Sequence, residues 1–288
     1  MDSMKKPIAI FAAIVAALAV AVFFGYRSLS QPPPLILVYE RKGGIAGLSE
    51  ELLVYGDGLV VYRRPGLESR AHLPPEVVRA FELLLESLEK AGFSEVDAKP
   101  GAADFFSHEV SYSPAGTKFR WVDEWASERP LPAEVTALGT LLDYAISYAL
   151  GEVWENSASH VAGELRIEAH LNRVAVERGG EASIRAFVSN LGKRNLTYDL
   201  PTPCDPDIEI RVEPRCCSVR YTQPSIDPDA VCPQVVVQRS LGPGETRVNA
   251  ATIEVEEDAE PGLYWVRVSF PYGNSMVEVS LPIVVVKG

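Results

Sequence analysis

The sequence predicts an N-terminal transmembrane helix, then an α+β domain with an antiparallel sheet and two helices, then an all-β sandwich. Three observations predict this order. An apolar run covers residues 8–26, strand and helix patterns alternate over residues 35–151, and strand patterns alone recur over residues 163–288. We assign residues 1–34 to a membrane anchor and proline spacer and residues 152–162 to a linker. A hydrophobic share of 47% supports two real cores.

The N-terminal run predicts a retained anchor. Lys5 and Lys6 precede about 20 apolar residues, the length that crosses a hydrocarbon core, and positive charge ahead of such a run keeps the short N-terminus in the cytoplasm. A cleaved signal peptide is the alternative. Signal peptides have a shorter apolar core followed by a cleavage site of small residues, whereas the residues that follow the core here, Phe23–Arg27, are bulky. Under both interpretations the remainder of the chain is exported across the membrane. We expect a single-pass cell-membrane protein with residues 35–288 extracytoplasmic.

The charge and the cysteines limit the partners and the compartment. A net charge of −12 repels phosphate backbones, so we expect no nucleic-acid partner. The four cysteines cluster within one proline-rich window and, in an exported chain, predict disulfides. Free thiols and a zinc site are the alternatives, although the gaps between the cysteines are long for zinc. Since a bond between adjacent cysteines strains the backbone, we expect Cys204 and Cys232 each to pair with one of Cys216 and Cys217.

The first exported domain has the predicted order β-β-β-α-β-β-α. Pro74-Pro75-Glu76 and Pro132-Ala133-Glu134 begin helices, because Pro is tolerated in the first turn and Glu suits the helix dipole there. Gly92 and Gly151 end them. The predicted strands are Leu35–Tyr39, Leu52–Tyr55, Leu59–Tyr62, a strand carrying Phe106, His108, Val110 and Tyr112, and a strand carrying Phe119 and Trp121. Helices on one face of an antiparallel sheet make an α+β domain over residues 35–151.

The second exported domain, residues 163–288, shows about seven short strand patterns separated by turns. These are Leu165–Leu171, Ala182–Ser189, Ile208–Val212, Val235–Gln238, Arg247–Val255, Leu263–Phe270 and Val277–Val286. This number and spacing are typical of an immunoglobulin-like sandwich. The window 201–233, which holds the cysteines, is predicted to be an irregular excursion. Asn195 begins an Asn-Leu-Thr sequence, a candidate N-glycosylation site in a loop.

No residue pattern in the chain predicts catalysis. His108-Glu109 lacks the second histidine of a zinc-protease motif, because Tyr112 stands in that place, and we expect His108 to be a packed structural residue. No nucleophile lies in a pattern with a base. We therefore predict no enzyme activity, no catalytic residue, no cofactor and no metal site.

A glycine-rich segment after the first strand is the candidate partner-binding site. It comprises Arg41, Lys42, Gly43, Gly44, Ile45, Ala46 and Gly47. Glycines let the backbone turn sharply and approach another surface closely. The alternative is that the segment only connects two strands.

Four motifs of the first domain resemble the emfourin family of proteinaceous inhibitors of thermolysin-like metalloproteases. They are Arg41–Gly47, Leu73-Pro74-Pro75-Glu76, Ala103-Asp104-Phe105-Phe106 and Val122-Asp123, in the same element order over residues 35–150. The resemblance implies a protein partner, an extracellular metalloprotease, and steric occlusion of its cleft by a rigid turn. The chain departs from the family in its anchor, in a longer hairpin around Gly56–Gly58 and in the charged Arg41-Lys42.

The second domain resembles immunoglobulin-like domains of the intracellular proteinase inhibitor type and of microbial cell surfaces. The similarity rests on Leu241–Glu245 and Pro261–Tyr264, each ahead of a strand. It implies the fold alone. From the sequence we therefore expect a membrane-anchored protein-binding protein, with metalloprotease inhibition as the specific function. A structural or adhesive cell-surface component is the alternative.

Overall fold

Two helices and seventeen strands are present in the described part of this computed structural model, residues 33–152, 154–222, 232–273 and 275–288. The predicted anchor, residues 8–26, lies outside these ranges. Among the residues that are described, none of the helices is both long and apolar enough to cross a membrane.

The N-terminal part is a six-stranded antiparallel sheet with the strand order β4-β3-β2-β1-β5-β6. Its elements are β1 (Leu35–Gly43), β2 (Leu48–Tyr55), β3 (Leu59–Arg64), β4 (Leu67–His72), α1 (Pro75–Lys90), β5 (Phe106–Tyr112), β6 (Thr117–Val122), a 3₁₀ turn (Glu124–Ala126) and α2 (Ala133–Leu150). The order matches the prediction except for β4, which the sequence analysis did not predict. An antiparallel sheet with two helices is therefore confirmed.

Both helices begin where the Pro-Pro-Glu and Pro-Ala-Glu sequences predict. Each has proline just before or within its first turn and glutamate in that turn, and α2 ends at Gly151 in the left-handed conformation with φ 69°. The apolar stripe of α1 is buried: Val77, Phe81, Leu84, Leu85 and Leu88. These side chains share one core with the inner face of the sheet, so the helices cover that face.

The other face of the sheet carries a transverse row of charged residues. In register across six strands lie Arg120, Glu109, Glu40, Glu51, Arg63 and Glu68. Ion pairs join neighbours in this row, as between Arg63 Nη1 and Glu51 Oε2 at 3.0 Å. Packing such a row into an apolar core would carry a large desolvation cost, so this face of the sheet is expected to stay in contact with solvent.

The C-terminal part consists of two main sheets that share one apolar core. One sheet has the order β13-β15-β10-β8-β7 and the other β12-β16-β17-β9, with β11 and β14 as a separate pair. The strands are β7 (Asn156–Ala162), β8 (Leu165–Leu171), β9 (Ala175–Glu177), β10 (Glu181–Asn190), β11 (Leu196–Leu200), β12 (Glu209–Glu213), β13 (Cys217–Tyr221), β14 (Val237–Leu241), β15 (Thr246–Val255), β16 (Gly262–Tyr272) and β17 (Ser275–Val286). All pairs are antiparallel except β9 with β17.

The segment 152–162, predicted as a linker, is mostly strand. β7 occupies its last seven residues and pairs with β8 along its whole length, from Asn156↔Leu171 to Ala162↔Leu165. Its small and polar side chains suit an edge strand, and the buried Asn156 amide donates to the Pro282 carbonyl at 2.8 Å. The linker prediction was wrong because backbone pairing with β8, rather than side-chain hydrophobicity, holds this strand.

The two parts share a core within the compact unit Leu35–Gly288. Val174, Ala175, Val284 and Val286, from the C-terminal part, are buried in the same cluster as helix α1. An ion pair between Arg79 of α1 and Glu177 of β9 lies beside them. Because α1 is covered by β9 and β17, the N-terminal part cut off at residue 151 would expose apolar surface.

All four cysteines form disulfides, as predicted, but the pairing differs from the prediction. Cys204 bonds Cys232, and Cys216 bonds its neighbour Cys217. Cys216 is buried in the sandwich core and Cys217 begins β13 beside it, whereas Cys204 and Cys232 meet outside at Thr202, whose hydroxyl lies 3.3 Å from the Cys232 sulfur. The tertiary fold therefore separates Cys216 and Cys217 from the other two cysteines. The predicted pairing considered only the backbone strain of a bond between adjacent cysteines and not this separation.

This pairing gives a testable stability difference. We expect peptide mapping without reduction to join the Cys204 peptide to the Cys232 peptide and neither to the 216–217 peptide. Because the Cys204–Cys232 bond closes a loop with a sequence separation of 28, replacing both by serine should lower the free energy of unfolding by about 2–4 kcal/mol. A mapped link between Cys204 and either of Cys216 and Cys217 would contradict the pairing.

Candidate functional site

The predicted glycine-rich segment divides into a strand end and a tight turn. Arg41, Lys42 and Gly43 belong to β1, and only Gly44, Ile45, Ala46 and Gly47 form the turn to β2. The Gly47 amide donates to the Gly44 carbonyl at 3.0 Å and closes it. Gly44 and Gly47 have φ values of 70° and 60°, which L side chains rarely adopt. The turn is therefore narrow and conformationally fixed.

Two of the glycines are required by contacts within the protein. A Cβ on Gly43 would lie 2.3 Å from the Phe105 carbonyl oxygen, and one on Gly44 would lie 2.9 Å from Cζ of Phe106. The Gly44 amide donates to that same Phe105 carbonyl at 3.1 Å. The missing side chains thus allow the turn to pack on the start of β5, whereas the sequence analysis assigned this freedom to contact with a partner. Of the three glycines in this segment, only Gly47 faces open space.

The turn presents one large apolar side chain to solvent. Ile45 is 89% exposed at its tip. The backbone on both sides is held, by Gly44 against Phe106 and by the pairing of Gly43 with Leu48. An exposed side chain on a fixed turn would lose little conformational freedom on contact with another surface.

A second exposed apolar residue, which was not predicted from the sequence, lies beside the turn. Trp125 is 56% exposed on the 3₁₀ turn after β6. Together with Phe106, Asp123 and Glu124 it lines a shallow concavity. Phe106 also contacts Gly44, so the surface runs from the turn through Phe106 to Trp125. We call Gly44–Gly47, Phe106 and Trp125 the turn surface.

Arg41 and Lys42, predicted to bind a partner, make ion pairs within the chain. Arg41 donates to Glu50 Oε2 from Nε at 2.8 Å and from Nη2 at 2.5 Å, and Glu50 is only 5% exposed. The Tyr62 hydroxyl donates to the other Glu50 oxygen at 2.6 Å, and burial followed by this bond raises the pKa of Tyr62 to about 12. Lys42 pairs with Glu40 on the outer face. Arg41 therefore has a structural role.

His108 lies packed beneath the same surface, as the sequence analysis expected. Its ring stacks on Trp121 with centroids 5.2 Å apart. Nδ1 lies 2.8 Å from the Tyr39 hydroxyl and Nε2 lies 3.2 Å from Asp123 Oδ1. Burial lowers the pKa of His108 below its ordinary value and Arg41 adds to this, whereas Asp123 opposes it. The ring is therefore neutral at pH 7.

Register explains why these residues meet. Glu50, Arg41, His108 and Trp121 are direct neighbours across β2, β1, β5 and β6 on the helix-covered face. Asp143 of α2 approaches Arg41 Nη1 at 3.5 Å from above, and burial raises the pKa of Asp143. The sequence positions are far apart, and only strand pairing aligns them. The only sequence signal for this row is the run of alternating residues on β5.

The remaining predicted positions lie apart from the turn surface. Asn195 is exposed in the loop between β10 and β11, where a glycan has room. Over the described ranges, no three His, Cys, Asp or Glu side chains are grouped so as to hold a metal ion.

Comparison with known proteins assigns no family. No family model matches the sequence, and no curated protein matches it. Solved structures with distant similarity include the GAE domain of GGA2p from Saccharomyces cerevisiae, which is 15% identical over 47% of this chain and 100% of that chain, with a TM-score of 0.26. A β-glucosidase from Erythrobacter marinus is 15% identical over 46% of this chain, with a TM-score of 0.25. A family 123 glycoside hydrolase from Clostridium perfringens is 9% identical over 40%, with a TM-score of 0.25.

The chain covers 16% of the β-glucosidase chain and 22% of the glycoside hydrolase chain. The similarity is to β-rich domains and is too distant to support an argument about function.

Proposed function

We propose that this chain is a membrane-anchored, extracytoplasmic protein-binding protein that contacts its partner through the turn surface. The single observation that carries the proposal is Ile45, an apolar side chain 89% exposed on a turn that its own glycines hold in place. Trp125 extends this apolar area on the other side of Phe106. Tryptophan is enriched among the residues that dominate binding energy at protein interfaces.

The most specific partner is a thermolysin-like metalloprotease, which the chain would inhibit. The resemblance to emfourins supports this, because its four motifs fall at the turn, at the start of α1, ahead of β5 and after β6. Three of the four adjoin the turn surface. A turn that cannot change its backbone conformation is suited to fill an enzyme cleft, since a rigid insert keeps its shape on binding. The proposed mechanism is steric occlusion by Ile45 and its neighbours.

The test is inhibition by the soluble unit, residues 35–288, with thermolysin-like enzymes titrated at micromolar inhibitor. Residues 35–151 alone are unsuitable, because helix α1 packs against β9 and β17. We expect dose-dependent inhibition of such an enzyme and none of a serine protease used as a control. Unchanged activity of every thermolysin-like enzyme tested would remove the inhibitor function.

A structural or adhesive role at the cell surface is the second candidate. The shared core of the two parts favours it, because a continuous core makes a stiff spacer. An immunoglobulin-like assignment of the C-terminal sandwich, which has two sheets on one core, would agree with this role. Loss of the inhibitor function, with retained binding to cells or to surface extracts, would favour this candidate.

The proposed location also has a direct test. Protease added to intact cells should degrade residues 163–288 and leave a small membrane-held fragment, because the positive charges Lys5 and Lys6 keep the N-terminus inside. Permeabilised cells provide the control for protease access. Protection of residues 163–288 in intact cells, with degradation after permeabilisation, would place them in the cytoplasm instead.

A further inference from the structure

A cavity of about 250 Å³ lies where the chain passes from helix α2 to the sandwich. Trp154 forms one wall of this cavity. Its ring meets the ring of Tyr144 of α2 nearly at a right angle, with centroids 5.2 Å apart, and packs against the N-terminal core. The lining also includes His170 on β8 and Arg185 on β10, which are direct cross-strand neighbours. The tryptophan is therefore held beside polar side chains of the sandwich.

Three hydrogen-bond donors that line the cavity are unused within the described residues. Asn172 accepts from the Ser183 amide at 2.7 Å through Oδ1, while its Nδ2 has no acceptor in that part of the chain. The Ser183 hydroxyl also makes no hydrogen bond to a described residue. Over the same ranges, Arg185 has only Glu155 Oε1 as an ion-pair partner, at 3.6 Å. Strand pairing holds these groups in place without satisfying them.

Glu155 supplies the acceptor side of the cavity. Its Oε2 lies 2.8 Å from His170 Nδ1, and the other ring nitrogen of His170 lies 2.7 Å from Glu168 Oε1, so the imidazole is held between two carboxylates. The second Glu155 oxygen, Oε1, remains open beside Arg185. The two side chains are 46% and 62% exposed, so an acceptor and a cationic donor stand side by side within reach of a ligand.

The charges that line the cavity disfavour most classes of ligand. An anion would meet Glu155 and a cation would meet Arg185, and these opposite charges offset each other at 3.6 Å. A purely apolar ligand would remove water from both groups and from Asn172 without replacing their hydrogen bonds, at a large free-energy cost. The ligand that fits is neutral, has donors and acceptors on adjacent atoms, and has an apolar face for the indole.

We propose that this cavity binds one neutral pyranose ring, with the ring on Trp154 and two neighbouring sugar hydroxyls between Glu155 and Arg185. A hydroxyl donates one hydrogen bond and accepts others, so a vicinal pair can donate to Glu155 Oε1 while accepting from Arg185 and from Asn172 Nδ2. The C–H groups on one face of a pyranose form an apolar, slightly positive patch, which suits the negative face of an aromatic ring.

The size of the cavity agrees with a single ring. Sites for drug-sized ligands have volumes of roughly 300–1,000 Å³, and this cavity is smaller. Its lining shares no residue with the turn surface, so the inference goes beyond the proposed function. It gives the chain a second recognition site, in the sandwich, for a ligand of a different chemical class.

The test uses the full chain in micelles of a detergent without sugar head groups, labelled with 5-fluorotryptophan and followed by fluorine NMR. Trp154→Phe identifies the Trp154 resonance among those of the four tryptophans. The probes are the methyl glycosides of glucose, galactose, mannose and N-acetylglucosamine. We expect at least one of them to shift the Trp154 resonance saturably, with a Kd on the order of 1–10 mM for so small a ligand. The Trp125 and Trp265 resonances should stay constant.

Arg185→Met and Asn172→Asp are the decisive variants. The first removes an exposed side chain that makes no hydrogen bond to the described residues, and the second keeps the acceptor for the Ser183 amide but loses the Nδ2 donor. Each should weaken sugar binding by at least about tenfold. Arg220→Met is the matched control, because Arg220 is 67% exposed on β13 at the other edge of the sheet, and it should bind like the wild type. An unchanged sugar-free Trp154 resonance shows that the cavity is intact.

The absence of a saturable Trp154 shift with all four glycosides would overturn the proposal, and so would undiminished binding in both variants. Sodium acetate and methylammonium chloride test the charged classes, and a saturable shift with either of these alone would assign an ionic ligand instead. If a disaccharide of the bound sugar binds more tightly than its methyl glycoside, the pyranose belongs to a glycan chain, whereas equal affinity indicates a single sugar. Neither result depends on metalloprotease inhibition.

Discussion

Replacing Ile45 by arginine is expected to weaken inhibition of a thermolysin-like metalloprotease by at least about thirtyfold, with the fold unchanged. A central apolar anchor typically contributes 2 kcal/mol or more to an interface, which corresponds to about this factor. Ile45 is 89% exposed, so its replacement removes no contact that the free protein needs. A charged side chain in its place would have to be desolvated in the enzyme cleft. The measurement is the inhibition constant of residues 35–288.

The design of this variant matters because the neighbouring glycines are not neutral positions. A Cβ at Gly44 would lie 2.9 Å from the Phe106 ring at a positive φ, so any substitution there disturbs the surface as well as the tip. Leu191→Arg is the matched control, since Leu191 is an exposed apolar loop residue, 56% accessible, in the sandwich. It should inhibit like the wild type. If Ile45→Arg inhibits equally well, the partner contacts another surface, whereas equal losses in both variants would indicate an effect of charge.

The sequence predicted the elements whose signals are local. The proline starts of α1 and α2 and the glycine end of α2 are each marked within one short segment of sequence. Most strands of the sandwich were placed to within a few residues for the same reason. The five strands that were not predicted, β4, β7, β9, β11 and β13, are short or carry small and charged side chains. They exist because a neighbouring strand pairs with their backbone, and a single segment does not show that.

The candidate site was predicted in part, and its errors have the same origin. Glycines marked the segment Arg41–Gly47 as a connection between strands, and its last four residues form the turn. The roles of Arg41 and Trp125 were not recognised. Arg41 meets Glu50 through the register of β1 and β2, and Trp125 meets Phe106 through the pairing of β5 and β6. The cysteine pairing failed similarly, because β13 holds Cys217 at the sandwich.

Replacing Arg41 by methionine is expected to lower the free energy of unfolding by about 3 kcal/mol without changing the affinity of the folded protein for its partner. Removing one member of a buried ion pair leaves the other charged and desolvated, at a cost of about 3–5 kcal/mol, and the 23% exposure of Arg41 moderates this. Urea unfolding of residues 35–288 measures the stability, and the inhibition assay measures the affinity. Arg63→Met is the matched control, because its ion pairs are exposed and should contribute less than about 1 kcal/mol.

A double-mutant cycle separates the ion pair from the rest of the network. Glu50→Leu alone leaves Arg41 without its main partner and the Tyr62 hydroxyl without its acceptor. Arg41→Met combined with Glu50→Leu removes both charges, so the double variant should be more stable than the sum of the single losses predicts, by about 2 kcal/mol. Additive losses would show that the two side chains do not interact in solution. If instead stability is retained in Arg41→Met and inhibition is lost, Arg41 contacts the partner, as the sequence pattern alone suggested.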